Sequence, residues 1–216
     1  MGRSDSLSRR TAKREPLRRF IIYCEGEKTE PHYFQALKRT FRRSALIGLE
    51  IVHTGVPMTI AERATERVLE ERKTKRSRDS FEKRDQVWAV FDRDSHPHFE
   101  RALDLCAQHK VQVARSNPCF EVWLILHERE FDRPDGRHAV QRHLKALRPE
   151  YDPDKNKSCD CDHLVKSVED AEARAARQLD LRHREGVPFG PPSTTVGHLT
   201  AAIRSAAQAA GRPSQR

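Results

Sequence analysis

The sequence predicts an α/β fold: a central parallel sheet of about four strands, flanked by helices and followed by a C-terminal helical elaboration. Three observations carry this expectation. Short runs rich in β-formers alternate with longer segments of helical periodicity, the order expected of βαβ units. Two of those runs are almost continuously apolar, as strands covered on both faces are. After Glu130 the strand signal stops and helical patterns take over.

Each element follows from its own residues. Residues 1–17 (MGRSDSLSRRTAKREPL) are rich in Arg, Ser and Lys with no periodicity, and are expected to form a disordered basic arm. Arg19–Cys24 (RFIIYC) is an apolar run that reads as a buried parallel strand. Thr29 is placed to cap a helix and Pro31 suits its first turn. That helix should run from Glu30 to Arg43, burying Tyr33, Phe34, Leu37 and Phe41. Leu49–His53 alternates like a second strand. Thr59–Arg78 is a long charged helix with Ile60, Ala64, Val68 and Leu69 inward. Gln86–Phe91 (QVWAVF) is a third strand that runs directly into DRDS. His98–His109 is helical, Val111–Ala114 a fourth short strand, and SNP then turns the chain into the helix CFEVWLILHE. Arg137–Leu147, Cys161–Leu181 and Thr195–Ala210 read as three further helices. The Gly/Pro-rich segment EGVPFGPPS punctuates the chain before the last of them. The domain plan is thus an α/β core over 18–130, a helical elaboration of the same domain over 131–210, and a disordered tail over 211–216.

The bulk numbers limit the partners. The chain's 41 Lys and Arg outnumber its 32 Asp and Glu for a net charge of +9, which favours a polyanion, nucleic acid first. A charged surface with a basic tail would give the same total. No segment approaches the ~20 apolar residues that span a bilayer, and no apolar run follows the basic start as in a secretory signal. Five cysteines, an odd and scattered set, suit reduced thiols in a cytoplasm rather than a disulfide framework. A homo-oligomer is compatible with all of this.

The chemistry is expected where two strands end. Open parallel sheets bind ligands at the carboxyl ends of their strands. Glu25 follows the first strand, and Asp92 and Asp94 follow the third. Alternation along an extended segment puts both aspartates on one side with Arg93 pointing away. Three converging carboxylates repel unless a cation joins them. Hard oxygen donors favour Mg2+ or Mn2+, an ion that can activate water and stabilise charge on a phosphate. Exposed turn carboxylates are the alternative.

These motifs resemble known ones. The pattern strand–EGxxTE followed by strand–DxD looks like the Toprim fold of topoisomerases, bacterial primases and OLD-family nucleases, so the resemblance implies a Toprim-like Rossmannoid sheet. More closely, IIYCEGEKTEPHYF, VFDRDSH, SNPCFEVWLILH and PPSTTV resemble the RloB-like family, from about Arg19 to Leu199. Its members are prokaryotic proteins linked to restriction loci and abortive phage defence. By that resemblance Glu25 matches a metal ligand or general base, and Asp92 and Asp94 match the DxD metal ligands. Glu30 matches a further ligand, and Glu121 in NPCFE supplies another acid. Glu121 is equally a carboxylate favoured in a helix's first turn. The implied function is a Mg2+- or Mn2+-dependent nuclease cutting DNA or RNA, tRNA included, in anti-phage defence. An ATPase partner is implied with it. The chain has no GxxxxGK(S/T) pattern, so ATP hydrolysis would come in trans. A non-catalytic nucleic-acid-binding or regulatory subunit that keeps the same shell is the alternative.

Other residues complete the candidate set. YDPDKNK resembles a tyrosine–lysine segment of RloB-like proteins with DPD inserted. Lys155 or Lys157, with Lys157 the choice, could neutralise charge on a scissile phosphate. Arg72, Lys73, Lys75, Arg76 and Arg78 make the end of the second helix strongly basic, a place for phosphate contacts. Ser116 and Asn117 lead into a helix start whose amides could bind a phosphate or simply be capped. Among the histidines near strand ends, His96 is the best proton donor or phosphate contact because it lies close to DxD.

Overall fold

The computed structural model describes residues 18–41, 47–53, 55–75, 85–93, 96–155 and 157–211. The expected basic arm over 1–17 and the tail from 212 lie outside them, as do Asp94, Arg76 and Arg78.

The strands form one sheet. β1 (Arg18–Cys24), β2 (Ile47–His53), β3 (Gln86–Asp92) and β4 (Gln112–Asn117) are all parallel, and β5 (Ser193–Thr194) is antiparallel at the edge. The spatial order is β2-β1-β3-β4-β5. The fold is therefore α/β, as expected, with a mixed and mostly parallel sheet compatible with a Rossmann-like fold. The sequence reading did not contain the fifth strand. Its two residues bond to the end of β4, with Ser193 opposite Asn117 and Thr194 opposite Ser116.

Helices cover both faces. α1 (Thr29–Thr40), α4 (Glu121–Glu128), α7 (Val168–Arg184) and α8 (Val196–Gly211) enclose a core with the even-numbered face of β1, where Phe20, Ile22 and Cys24 are fully buried. α2 (Pro57–Lys75) and α3 (Phe99–His109) cover the other face, over Ile21, Tyr23 and Phe91. Residues from 131 to 206 belong to the same core cluster as the first strand, so the C-terminal helices complete one hydrophobic core.

Several boundaries differ from the sequence reading for identifiable reasons. Lys28, not Thr29, caps α1, and the Thr29 hydroxyl instead donates to the Lys157 carbonyl at 3.1 Å. Leu69 stands 37% exposed rather than inward, because α2 turns its Ile60–Ala64 stripe to the sheet. The single helix expected over Cys161–Leu181 is three pieces: α6 (Cys161–Leu164), a 3-10 turn over Val165–Ser167, and α7. α5 (Arg137–Leu147) has the expected bounds. No described helix is long and apolar enough to cross a membrane.

Candidate functional site

Parallel strands deliver their carboxyl ends to one edge, and four acids meet there. β1 ends at Cys24, and the ladder continues one residue further, with the Glu25 amide donating to the Val90 carbonyl at 3.2 Å. Glu25 then spans two strand ends. Its Oε2 accepts from the Asp92 amide at 3.1 Å, and its Oε1 lies 3.2 Å from His96 Nε2. His96, favoured in sequence for its nearness to DxD, thus touches the first acid of the site.

Gly26 lets the Glu30 carboxylate approach the backbone closely. A Cβ there would stand 2.0 Å from Glu30 Oε2, well inside van der Waals contact. Without one, the Gly26 amide donates to Glu30 Oε1 at 3.1 Å. Glu30 lies on the first turn of α1 and is buried, as are Asp92 at the end of β3 and Glu121 at the start of α4. Arg137, the first residue of α5, donates from Nη2 to Asp92 Oδ2 at 2.9 Å. Glu121 accepts from Gln141 Nε2 at 3.3 Å and from the Tyr151 hydroxyl. Glu25, Glu30, Asp92, Glu121 and Arg137 line one cavity of about 340 Å3.

Lysines line the same cavity. Lys155 and Lys157 line it, and their carbonyls are tied to the start of α1: Lys28 Nζ donates to Lys155 O at 3.3 Å, and Thr29 to Lys157 O. Lys155 and Lys157 thus share the cavity with the acids, and both are exposed.

The acid set offers oxygen donors only, the chemistry that Mg2+ and Mn2+ take. Among the described residues, no group of three or more His, Cys, Asp or Glu stands ready to hold a metal ion. Asp94, the second aspartate of DxD, lies outside them. The described acids are instead balanced by bonds to amides, Arg137, Gln141 and Tyr151.

The expected nucleic-acid contacts are placed elsewhere. A helix that follows a parallel strand runs back from the carboxyl edge, so the end of α2 reaches the amino edge. There Arg72 Nη2 donates to the His109 carbonyl at 2.8 Å. Arg72 lies fifteen residues beyond Pro57, the first of α2, and at ~1.5 Å each that carries the exposed Arg72 and Lys73 roughly 22 Å along the helix from its start. The side chain of Lys75 is outside the described residues, like Arg76 and Arg78. Ser116 and Asn117 are not at a helix start; they are the last residues of β4. The Ser116 hydroxyl is buried 2.9 Å from Thr194 Oγ1, and Asn117 Nδ2 donates to the Phe189 carbonyl at 2.8 Å. These side chains fasten the sheet edge.

Two residues at the acids have no place in the sequence reading, Arg137 and Gln141, and Tyr151 figures there only as the start of the tyrosine–lysine segment. Gln141 left a signal, since it shares the buried face of α5 with Val140 and Leu144, where a polar residue asks for a partner. Arg137 left none, because an arginine opening an amphipathic helix looks solvated.

The match to known proteins covers the whole of this arrangement. The family model for RloB-like proteins matches residues 20–203. The chain belongs to the RloB-like family. The matched span runs from the first buried residue of β1 into α8, and it contains every acid of the cavity together with Arg137 and both loop lysines. No curated protein and no solved structure matches the chain.

Acids this close perturb one another. In this RloB-like chain, burial pushes the Glu30 carboxyl up from 4.5 to about 7; the Glu121 and Glu25 charges act in the same direction, and hydrogen bonds from backbone amides oppose them. Burial, with Glu30 and Glu121, also raises Asp92 well above the usual range, against the pull of Arg137. The folded chain therefore holds a proton on Glu30 that the unfolded chain releases between pH 4.5 and 7. The native state binds more protons in that window, so stability falls as pH rises through it. Without divalent ions, raising the pH from 5 to 8 should cost about 2–3 kcal/mol through Glu30. Glu30→Gln should flatten that slope and unfold at a higher temperature than wild type at pH 8. Equal pH slopes for both proteins in EDTA would contradict this assignment.

Proposed function

We propose that this chain is a Mg2+- or Mn2+-dependent nuclease of Toprim type that hydrolyses phosphodiester bonds in nucleic acid. The observation that carries the reading is the convergence of Glu25, Glu30, Asp92 and Glu121, from four separate elements, into one cavity faced by Arg137 and loop lysines. Buried acids crowded together raise one another's proton affinity and destabilise the fold. Such a cluster makes sense where its charge is used.

In this reading Glu25, Glu30, Asp92, Asp94 and Glu121 hold the ion. When bound, the ion lowers the pKa of a coordinated water and offsets charge developing on the phosphate. Glu25, fixed by the Asp92 amide and His96, lines the cavity and would take a proton from the attacking water. Arg137 and Lys157, which line the same cavity, would supply positive charge to the bound phosphate. Arg137 would then exchange its hold on Asp92 for the phosphate oxygens, a geometry its planar fork matches.

The substrate follows from family membership only at the level of proposal: DNA or RNA, tRNA included, with an ATPase partner and a defence role. The test is to incubate the purified chain with plasmid DNA and with total tRNA, with EDTA, Mg2+ or Mn2+, and to sequence any product ends. Cleavage that needs the divalent ion supports the reading.

A second reading rests on Arg137. Its guanidinium already neutralises Asp92, as it would in a binding subunit that holds no ion. Divalent-ion titration separates the two. A rise in unfolding temperature with Mg2+ or Mn2+ that disappears in Asp92→Asn favours the enzyme.

A further inference from the structure

Beside the acidic cavity, the carboxyl edge carries a basic site on the sheet's other face. β4 alternates, so Ser116 faces the α4 side and Arg115 faces the α3 side, where its register partner is Phe91. Arg115 is half-buried, and its guanidinium carbon lies 3.5 Å from the centroid of the Phe189 ring. The surroundings fix that stack. Thr195 Oγ1 accepts from the Arg115 amide at 2.9 Å, and the Thr195 amide donates to the Arg115 carbonyl at the same distance. Phe189 has φ +62, a left-handed conformation that aromatic residues rarely adopt, and Asn117 holds its carbonyl.

Arg93 stands on the same side. It directly follows Asp92, is exposed, and has its guanidinium carbon 5.9 Å from the Phe99 ring centroid. Its carboxylate neighbour is the largely exposed Glu100, 3.8 Å away. Arg115 has no carboxylate within ion-pair distance among the described residues. Burial works against its charge, Glu100 favours that charge, and Arg93 opposes it. Two cations thus share this edge, with the largely exposed Glu100 as the acid beside Arg93 and with Arg115 half-buried. Half-buried charges need a counter-charge, and the planar guanidinium fork best fits a phosphate.

We propose that Arg115 and Arg93 seat the phosphodiester backbone of a nucleic-acid strand crossing the carboxyl edge of the sheet, next to the bond held in the acidic cavity. Its place as a substrate seat rests on the nuclease reading; its binding of nucleic acid does not. Arg93 adjoins Asp92, and Arg115 adjoins Ser116, the register partner of Asp92. By strand geometry both lie within roughly 7 Å of Asp92 at Cα. At ~3.4 Å or more per nucleotide, one or two nucleotides cover that span. Asn117 acts here as a positioning residue, since it holds Phe189 under Arg115.

The test measures binding of a labelled single-stranded oligonucleotide and a labelled RNA hairpin to the full chain by fluorescence anisotropy, in EDTA, over a series of salt concentrations. Arg93→Ala with Arg115→Ala should weaken binding at least about tenfold and flatten the log affinity–log salt slope by about 1.5, the share of two phosphate contacts. Arg93→Ala alone, at an exposed position, should remove about half that slope, which keeps the test open if Arg115→Ala does not fold. Arg72→Ala with Lys73→Ala, at the amino edge, should stay within about twofold of wild type. Wild-type affinity and slope in the Arg93 and double variants would overturn the proposal. So would an equal loss from the amino-edge pair, or displacement of the oligonucleotide by a mononucleotide at equal phosphate concentration. Cleavage run in parallel separates the two ideas. Lost binding in a chain that never cleaves keeps the seat and removes the nuclease; unchanged binding in a chain that cleaves does the reverse.

Discussion

Asp92→Asn is expected to abolish Mg2+-dependent cleavage, by about 10²–10³-fold or more, while the chain stays folded. The substitution removes one charge and almost no volume. The carboxamide oxygen of the variant can still accept from Arg137, and the backbone amide still donates to Glu25, so the junction of β1 and β3 keeps its bonds. On the nuclease reading, what changes is the ability to hold a cation. The substitution also removes a buried carboxyl whose proton affinity burial and Glu30 already raise, so the unfolding temperature in EDTA should not fall. Glu25→Gln should lose cleavage similarly, since an amide cannot take the proton from water. Single-turnover cleavage measured beside thermal unfolding checks both variants. Intact cleavage by both purified proteins would sink the nuclease reading.

What the sequence showed and what it hid divide along a physical line. Strand ends were legible because continuous apolar runs such as RFIIYC and QVWAVF stop abruptly at a charge, and that stop places Glu25 and Asp92 at one edge of the sheet. Glu30 and Glu121 were legible through motifs, and both reach the cavity. β5 was not legible. Two residues show no periodicity, and Ser193–Thr194 is a strand only because β4 extends three residues beyond the expected Ala114 to meet it. The break between α6 and α7 has no Gly or Pro to announce it. The basic end of α2 is legible as a run of charge, but which edge it occupies depends on chain direction, and that puts Arg72 and Lys73 toward the amino edge. Arg115 was overlooked for the opposite reason. A single arginine in a short strand looks like an exposed edge residue until Phe189, seventy-four positions later, packs against it.

Arg137→Ala should separate the cavity's two sources of positive charge. In the absence of divalent ions, Arg137 is the cation in contact with Asp92, and their side chains are 29% and 10% exposed. Removing one partner of a buried pair strands the other at a cost of ~3–5 kcal/mol. Partial exposure of the arginine and the high proton affinity of Asp92 reduce this to about 2–4 kcal/mol, because Asp92 can take up a proton instead. For a chain of this size that corresponds to a fall of roughly 5–10 °C in unfolding temperature in EDTA at pH 8. The fall should shrink at pH 5, where protonation removes the stranded charge. A divalent ion bound by the same acids does the guanidinium's electrostatic work, so Mg2+ should restore most of the loss. Cleavage should not return with stability, because the ion cannot replace the donors that Arg137 turns toward the phosphate. An equal temperature deficit with and without Mg2+ would show that guanidinium and ion do not share the site. It would favour the binding-subunit reading, in which Arg137 is the permanent counter-charge of Asp92.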